Sequence, residues 1–121
     1  MIGIGLDAVE VDRFRRVLAR TPRVAVRLFT PEEQAYSARF ADPAPRLAAR
    51  FAAKEATMKA LGVGLGAVDF LDVEVRTAPD GSPSLLLSGR AAALAGAKGV
   101  TAFRVSITHT GTLAEAVVAA L

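Results

Sequence analysis

The segment from Arg50 to Gly66, RFAAKEATMKALGVGLG, constrains the fold of this chain more than any other. It lies in a run of strong helix formers, mainly Ala, Leu, Met, Lys and Glu. Large apolar residues recur there at helical spacing, at Leu47, Phe51, Met58 and Leu61. Three glycines then mark the end of the helix. The pattern predicts a long helix from Arg46 to Leu61, followed by a glycine-rich loop.

This predicted helix has no face that is plainly exposed to solvent. A stripe of small residues runs along one side, at Ala49, Ala53, Ala56 and Ala60. The helix nevertheless carries Lys54, Glu55 and Lys59, and charged side chains are rarely buried without a partner or a ligand. Glu55 and Lys59 therefore have two interpretations. They form either a surface ion pair at i,i+4 spacing, which stabilises a helix by about 0.3–0.5 kcal/mol, or part of a ligand site.

The first ten residues predict a strand with two different faces. Ile2, Ile4 and Leu6 alternate onto one face, and Gly3, Gly5 and Asp7 fall on the other. Two glycines beside a carboxylate leave room for a close approach to the backbone on that face. Asp7 is therefore either an acid at a strand end or a ligand-binding group.

The remaining signals are local ones and indicate an α+β fold. Asp12 is predicted to cap a helix over 13–19, and Thr30-Pro31-Glu32-Glu33 to open one that ends near Phe40. Strands are expected over 71–76 and 84–87 around the turn 79–83, then a short helix after Ser88 and a hairpin of 103–109 with 114–121. We predict a single domain, residues 1–121, with a small, mostly antiparallel sheet packed on one long central helix.

Composition narrows the class of protein. There are no cysteines, no long apolar run and no signal peptide, which fits a cytoplasmic protein with no membrane contact. Without thiolates, a bound metal would be held by oxygen ligands or by the single His109, which favours a hard ion such as Mg²⁺. His109 ends a strand on its apolar side, so it is either a hydrogen-bonded core group or a ligand.

The positive charge is concentrated in the first half of the chain. The net charge is +3, and eleven of the fifteen Lys and Arg lie between Arg13 and Lys59. The basic side of the first helix carries Arg13, Arg15, Arg16 and Arg20 with no acidic residue among them. It is either a solvated face or a docking surface for an acidic partner. One Tyr, no Trp and no alternation of aromatic with basic residues argue against nucleic acid.

Three motifs together carry a family resemblance. They are Gly5-Leu6-Asp7 with Val9-Glu10 and Arg13, then Arg50-Phe51-Ala52-Ala53-Lys54-Glu55-Ala56 with Lys59-Ala60 and Gly62-x-Gly64, and finally Ser106-Ile107-Thr108-His109. With them the chain resembles the small bacterial-type 4′-phosphopantetheinyl transferases, the holo-acyl-carrier-protein synthases. Leu6 stands where that family usually has a small polar residue, but its side chain should point away from that of Asp7.

The resemblance implies a reaction and a set of residues that perform it. A serine hydroxyl of an apo acyl carrier protein attacks the β-phosphate of coenzyme A, and 3′,5′-ADP leaves, as a step of fatty acid or polyketide biosynthesis. Asp7 and Glu55 match the family's ligands for Mg²⁺, with Mn²⁺ as an alternative. Lys59 would neutralise charge on the phosphate, and the proton would pass to Glu55 or to a metal-bound water.

The same resemblance implies further contacts with coenzyme A and with the carrier. Lys54, Arg50 and His109 are candidates for its phosphates. The loop at Gly62 and Gly64 would line the cofactor, and the turn at Gly81 and Pro83 would meet the adenine. Arg13, Arg16 and Arg20 would face the acidic carrier.

The family also implies a homotrimer with active sites between subunits, which would account for the stripe of small residues. Because Met1 directly precedes the first strand, we expect a free-standing enzyme and not a domain of a large synthase. The alternative function is a non-catalytic basic module that binds an acidic protein or nucleic acid.

Overall fold

The computed structural model describes all residues, 1–121, as five strands, five α-helices and one 3₁₀ turn. In chain order these are β1 Gly3–Glu10, α1 Val11–Arg20, α2 Arg23–Leu28, α3 Pro31–Ser37, α4 Ala44–Ala60, the 3₁₀ turn Phe70–Asp72, β2 Val73–Thr77, β3 Pro83–Leu87, α5 Gly89–Ala97, β4 Phe103–His109 and β5 Leu113–Ala120. The predicted α+β class is confirmed.

The strands form two separate antiparallel sheets. The larger sheet has the order β1-β5-β4, so the first strand pairs with the last, and the smaller sheet is the hairpin of β2 and β3. Helix α4 packs across β1 and β5 and also contacts β2 and β4. Asp7, Ala116 and Ile107 lie in one row across the larger sheet. This register places Asp7 on the sheet face that meets α4.

Two glycines allow β1 and α4 to approach each other closely. A Cβ added at Gly3 would lie 1.9 Å from the carbonyl oxygen of Ala60, and one added at Gly5 would lie 1.9 Å from that of Ala56. The glycine face of β1 therefore packs on the helix, while Ile4 on the opposite face is 60% exposed. The close approach to the backbone beside Asp7 is therefore made by helix α4 of the same chain.

The stripe of small residues on α4 is buried within the chain. Ala53, Ala56 and Ala60 belong to the core beneath the larger sheet, together with Val118 and other residues of β5. The interpretation that the stripe meets a neighbouring subunit is therefore wrong. The small side chains serve the packing of α4 against β1 and β5.

Several element boundaries differ from those predicted. Helix α4 begins at Ala44, two residues before Arg46, because the Asp42 carboxylate accepts a hydrogen bond from the Ala44 N–H and a proline is tolerated in the first turn. Helix α1 begins at Val11, and Asp12 lies inside its first turn and does not cap it. Helix α2 was not predicted. The capping box of Thr30 and Glu33 is present, but α3 ends at Ser37 and not near Phe40.

Candidate active site

Asp7 and Lys59 meet where β1 crosses α4. The Lys59 ammonium group donates hydrogen bonds to the backbone oxygen of Leu6, at 2.9 Å, and to Oδ1 of Asp7, at 3.0 Å. Glu55 lies one helical turn before Lys59, is partly buried and forms no hydrogen bond or ion pair. The ion pair is therefore between Lys59 and Asp7, and the interpretation of Glu55 and Lys59 as an ordinary surface pair is wrong.

The two carboxylates share one electrostatic environment. Burial raises the pKa of Glu55, the nearby charge of Asp7 raises it further, and the charge of Lys59 acts in the opposite direction. Oδ2 of Asp7 is buried and has no hydrogen-bond partner. A buried, unpaired carboxylate oxygen is costly unless another group satisfies it, so this atom indicates a position for a cation or a donor.

The donor set fits a hard divalent cation. Carboxylate oxygens are the ligands that Mg²⁺ prefers, and it commonly retains waters and substrate oxygens as well. No group of three or more His, Cys, Asp or Glu side chains is gathered anywhere in the chain in a way that could hold a metal. A metal bound to Asp7 and Glu55 would therefore need further ligands from substrate or water.

Glu55 lies between two clefts. One has a volume of about 400 Å³ and is lined mainly by apolar side chains of β1, α1, α2 and α4, and Arg13 also lines it. The other, of about 140 Å³, is formed by Glu55, Met58 and Lys59 with the loop residues Val63, Gly64 and Leu65. Gly64 thus lines a cleft beside Glu55 and Lys59, and its contact with coenzyme A stays a prediction. Gly62 lies outside this cleft and ends α4 with φ +73°.

A separate basic cleft surrounds Arg50. Its guanidinium lies 4.1 Å from the centre of the Tyr36 ring and donates a hydrogen bond to Thr77, while its Nε has no partner. Arg50 lines a cleft of about 260 Å³ with Arg76, and an adjoining cleft of about 530 Å³ includes Gly81. Arg50 and Gly81 thus line two different clefts that share Tyr36 and Thr77, and their contact with one ligand stays a prediction. Pro83 begins β3 and lines neither cleft.

Comparison with known proteins identifies the family. The model of the 4′-phosphopantetheinyl transferase superfamily matches residues 3–118. The chain belongs to this superfamily. A holo-[acyl-carrier-protein] synthase of Moorella thermoacetica is 44% identical over 117 residues, which are 97% of this chain and 91% of that protein.

Solved structures of the same superfamily have the same fold. The holo-[acyl-carrier-protein] synthase of Neisseria meningitidis superposes with a TM-score of 0.90 at 31% identity, over 100% of this chain and 98% of that one. The Helicobacter pylori enzyme, solved in complex with coenzyme A, superposes with a TM-score of 0.86 at 30% identity, over 98% and 99% of the two chains. None of the helices in the present chain is of a length and apolarity suited to crossing a membrane.

Lys54 does not lie where a residue that contacts a coenzyme A phosphate would be expected. Its side chain is fully buried, and its ammonium group bonds Glu33 at 2.7 Å and the backbone oxygens of Phe70 and Val73 at 2.8 and 2.7 Å. An ammonium group has three protons, and all three have acceptors inside the protein. The prediction that Lys54 contacts a coenzyme A phosphate is therefore wrong, because no proton and no exposed surface remain for the ligand.

His109 lies at the exposed end of β4, in register with Ala114 of β5 and, one strand further, with Val9 of β1. Its side chain is exposed and forms no hydrogen bond, so the interpretation as a hydrogen-bonded core histidine is wrong. Its role as a superfamily ligand group stays a prediction.

The arginines of α1 divide into two kinds. Arg13, Arg16 and Arg20 are exposed and have no acidic partner, in line with a surface for an acidic protein. Arg15 pairs with Asp12 and, at 2.6 Å, with Asp42, so it does not belong to the unpaired basic surface. Asp42 lies 27 positions away, so sequence spacing gave no sign of this contact.

Sequence reasoning also missed the surroundings of Arg50. Tyr36 comes from α3, Arg39 comes from the turn that follows α3, and Arg76 comes from β2. Their approach depends on how α3 and β2 pack around α4. The only local signal is the spacing of Tyr36 and Arg39, three residues apart in a segment whose helix is predicted to reach Phe40 but ends at Ser37.

Proposed function

We propose that this protein is a holo-acyl-carrier-protein synthase, which transfers 4′-phosphopantetheine from coenzyme A to a serine of an apo acyl carrier protein. The observation that carries the proposal is the meeting of Asp7, Glu55 and Lys59 between two clefts, in a chain of this superfamily. Relatives of nearly the same length bear that name, and one solved relative binds coenzyme A.

The chemistry is a phosphoryl transfer. The serine oxygen forms a bond to the β-phosphorus of coenzyme A, the bond from that phosphorus to the oxygen bridging the two phosphates breaks, and 3′,5′-ADP leaves. The serine proton is released. Glu55 is suited to accept it, because burial raises the pKa of its carboxyl group. Lys59 is more than half exposed and flexible, so its ammonium group can move from Asp7 towards a phosphate oxygen.

Asp7 and Glu55 are the residues that we propose hold Mg²⁺ or Mn²⁺. Support comes from the unpaired Oδ2 of Asp7 and from the carboxylate of Glu55, which has no other partner. When bound, the ion would neutralise negative charge on the diphosphate of coenzyme A.

The distribution of the clefts supports a site shared between two copies of the chain. Arg50 and Lys59 are nine residues apart on α4, which corresponds to about 13 Å along the helix axis, and they line different clefts. Residues expected to bind one coenzyme A molecule are thus split between two places. The outer face of the larger sheet exposes Ile4 and Leu6, at 60% and 64%, and offers an apolar contact surface. We propose a homotrimer whose active sites draw on neighbouring subunits.

The carrier protein would dock on α1. Arg13 lines the larger cleft beside Glu55, and Arg16 and Arg20 extend the positive surface along the helix. Such charges mainly increase the rate of association and are weakened by salt. A non-catalytic basic module would use the same arginines, but it gives no reason for the arrangement of Asp7, Glu55 and Lys59.

The test is mass spectrometry of an apo acyl carrier protein incubated with this protein, coenzyme A and Mg²⁺. We expect a mass gain of one phosphopantetheine group, lost with EDTA, restored by added Mg²⁺ and absent with Glu55→Gln. Because Glu55 forms no hydrogen bond, that variant should melt close to the wild type, which separates loss of chemistry from loss of fold. No mass gain with several different carriers would contradict the proposal.

A further inference from the structure

A buried lysine is tied to three separate parts of the fold. Lys54 is 0% exposed, and Glu33, its ion-pair partner on α3, is 1% exposed. Glu33 in turn accepts hydrogen bonds from the backbone N–H groups of Thr30, at 2.9 Å, and Val75, at 2.9 Å. The other two protons of Lys54 go to the backbone oxygens of Phe70 and Val73.

Those two oxygens bracket the 3₁₀ turn at the end of the glycine loop. The loop leaves α4 after Ala60 and reaches the turn at Phe70. At its start it is held by a hydrogen bond from the Val63 N–H to the Met58 oxygen, at 3.0 Å. Between Gly64 and Val68 its one backbone hydrogen bond is long, 3.4 Å from the Ala67 N–H to the Gly64 oxygen. Apart from Val63 and Val68, whose side chains pack in the core beside Met58 and Val73, the course of the loop depends on how its two ends are anchored.

The loop forms one wall of the smaller cleft beside Glu55 and Lys59. Val63, Gly64 and Leu65 supply that wall. Val63 packs against the core, but Leu65 is 74% exposed and a Cβ at Gly64 would have no atom within 4 Å, so little packing holds the tip of this wall from outside. Lys54 precedes Glu55 on the same helix and bonds the far end of the loop. One buried side chain thus links the helix that carries the site to the loop that encloses it.

We propose that Lys54 is a positioning residue for phosphopantetheine transfer: its hydrogen bonds to Phe70 and Val73 hold the glycine loop at the coenzyme A side of Glu55. The inference rests on the proposed function. According to this inference, Lys54 affects coenzyme A binding without contacting coenzyme A. Lys54 should have no effect on carrier binding at the surface around Arg13.

The competing explanation is that Lys54 only neutralises Glu33 and stabilises the core. Two substitutions separate the explanations. Glu33→Gln removes the ion pair but leaves the bonds from Lys54 to the two backbone oxygens. Lys54→Met removes the ion pair and both of those bonds, with a side chain of similar length. A third variant with both substitutions removes both charges of the buried Glu33–Lys54 pair. This double variant is used for the measurements if Lys54→Met does not fold.

The experiment measures two quantities for each folded variant. The first is hydrogen–deuterium exchange of the peptide covering residues 61–70 without any substrate. The second is the pair of KM values for coenzyme A and for the carrier. With Lys54→Met and with the double variant, we expect loop exchange to rise and KM for coenzyme A to increase about tenfold or more, the effect of losing hydrogen bonds from a charged donor. KM for the carrier should change less than about twofold. Glu33→Gln should leave both quantities near the wild-type values.

Two results would overturn the inference. One is a folded double variant whose loop exchange and KM for coenzyme A equal those of the wild type. The other is a Glu33→Gln variant that raises KM for coenzyme A as much as Lys54→Met does. Because exchange is measured without substrate, an inactive wild type would refute the proposed function and still leave the effect of Lys54 on the loop measurable.

Discussion

Replacing Gly5 by alanine tests how the site is assembled. The added Cβ would lie 1.9 Å from the Ala56 oxygen, 2.8 Å from the Ala60 nitrogen and 2.9 Å from the Ala56 carbonyl carbon. Ordinary contacts begin near 3.4 Å, so β1 and α4 would have to separate by about 1.5 Å. The clashing atoms belong to the helix backbone, so no side-chain rotation can relieve the contact.

The expected loss of stability follows from this geometry. Overpacking of a core typically costs about 1–3 kcal/mol, and with rigid backbone on both sides we expect the upper end of that range. At about 2.1 cal/mol/K per residue, a chain of this length loses about 4 °C of Tm for each kcal/mol. Gly5→Ala should therefore lower Tm by roughly 8–12 °C in differential scanning calorimetry.

Activity should fall by more than stability alone explains. Asp7 is two residues from Gly5 on the same strand, so a shift of β1 moves it relative to Glu55 and Lys59 on α4. A displacement of about 1 Å at a reacting centre can reduce the rate roughly a hundredfold. We expect kcat to fall by about that factor at a temperature where the variant is folded.

Gly96→Ala is the matched control for Gly5→Ala. It adds the same atom in helix α5, where nothing lies within 4 Å, and should stabilise the protein by up to about 1 kcal/mol. If Gly5→Ala melted within about 2 °C of the wild type and kept full activity, the close approach of β1 to α4 and its role in placing Asp7 would be refuted.

Three further predictions concern single charges. Arg13→Glu should raise KM for the carrier at low salt and leave KM for coenzyme A unchanged. The control Arg90→Glu, on α5, should change neither KM value. Equal carrier kinetics for the two variants would contradict docking on α1. Lys59→Met should lower kcat at least about a hundredfold. Lys98→Met removes the same charge elsewhere and should leave kcat unchanged. A similar decrease of kcat in both variants would mean that the effect comes from the net charge. A hydrogen bond from Arg15 holds the pKa of Asp42 below its ordinary value. The Asp42 carboxylate therefore stabilises the fold above about pH 4, and this contribution is lost as the pH falls through the lowered pKa. Asp42→Asn should therefore melt below the wild type at pH 7, and the difference in Tm should shrink as the pH falls below about 4. A difference that stays constant with pH would contradict this.

The sequence predicted best the features that depend on neighbours in the chain. The capping box of Thr30 and Glu33 and the turn 79–83 are local arrangements of a few residues, and both are present. Helix α2 was missed because six residues after a Thr-Pro pair give almost no periodicity. Its helical state is supported by tertiary packing, since Ala25 and Leu28 contact the core around Phe29.

The residues of the candidate site could be predicted from local motifs, but their contacts with each other could not. Asp7, Glu55 and Lys59 were chosen from motifs, and the structure brings Asp7 and Lys59 into hydrogen-bonding contact beside Glu55. The pairing of Lys59 with Asp7 instead of Glu55 could not be read from spacing, because it depends on the glycine contacts that bring β1 onto α4. The basic cleft at Arg50 depends on α3 and β2 in the same way.

Lys54 and Lys59 show why residue type on a helix does not determine role. Five residues along an α-helix correspond to a rotation of about 140°, so the two ammonium groups leave α4 towards different parts of the fold. Lys54 points to a carboxylate 21 positions earlier in the chain and to two backbone oxygens, and it is fully buried. Lys59 points to Leu6 and Asp7 in the middle of β1 and is more than half exposed. A motif that contains both lysines identifies the family. Only the packing of α3 and of the 3₁₀ turn against α4 separates the lysine that holds the loop from the one that can reach a phosphate.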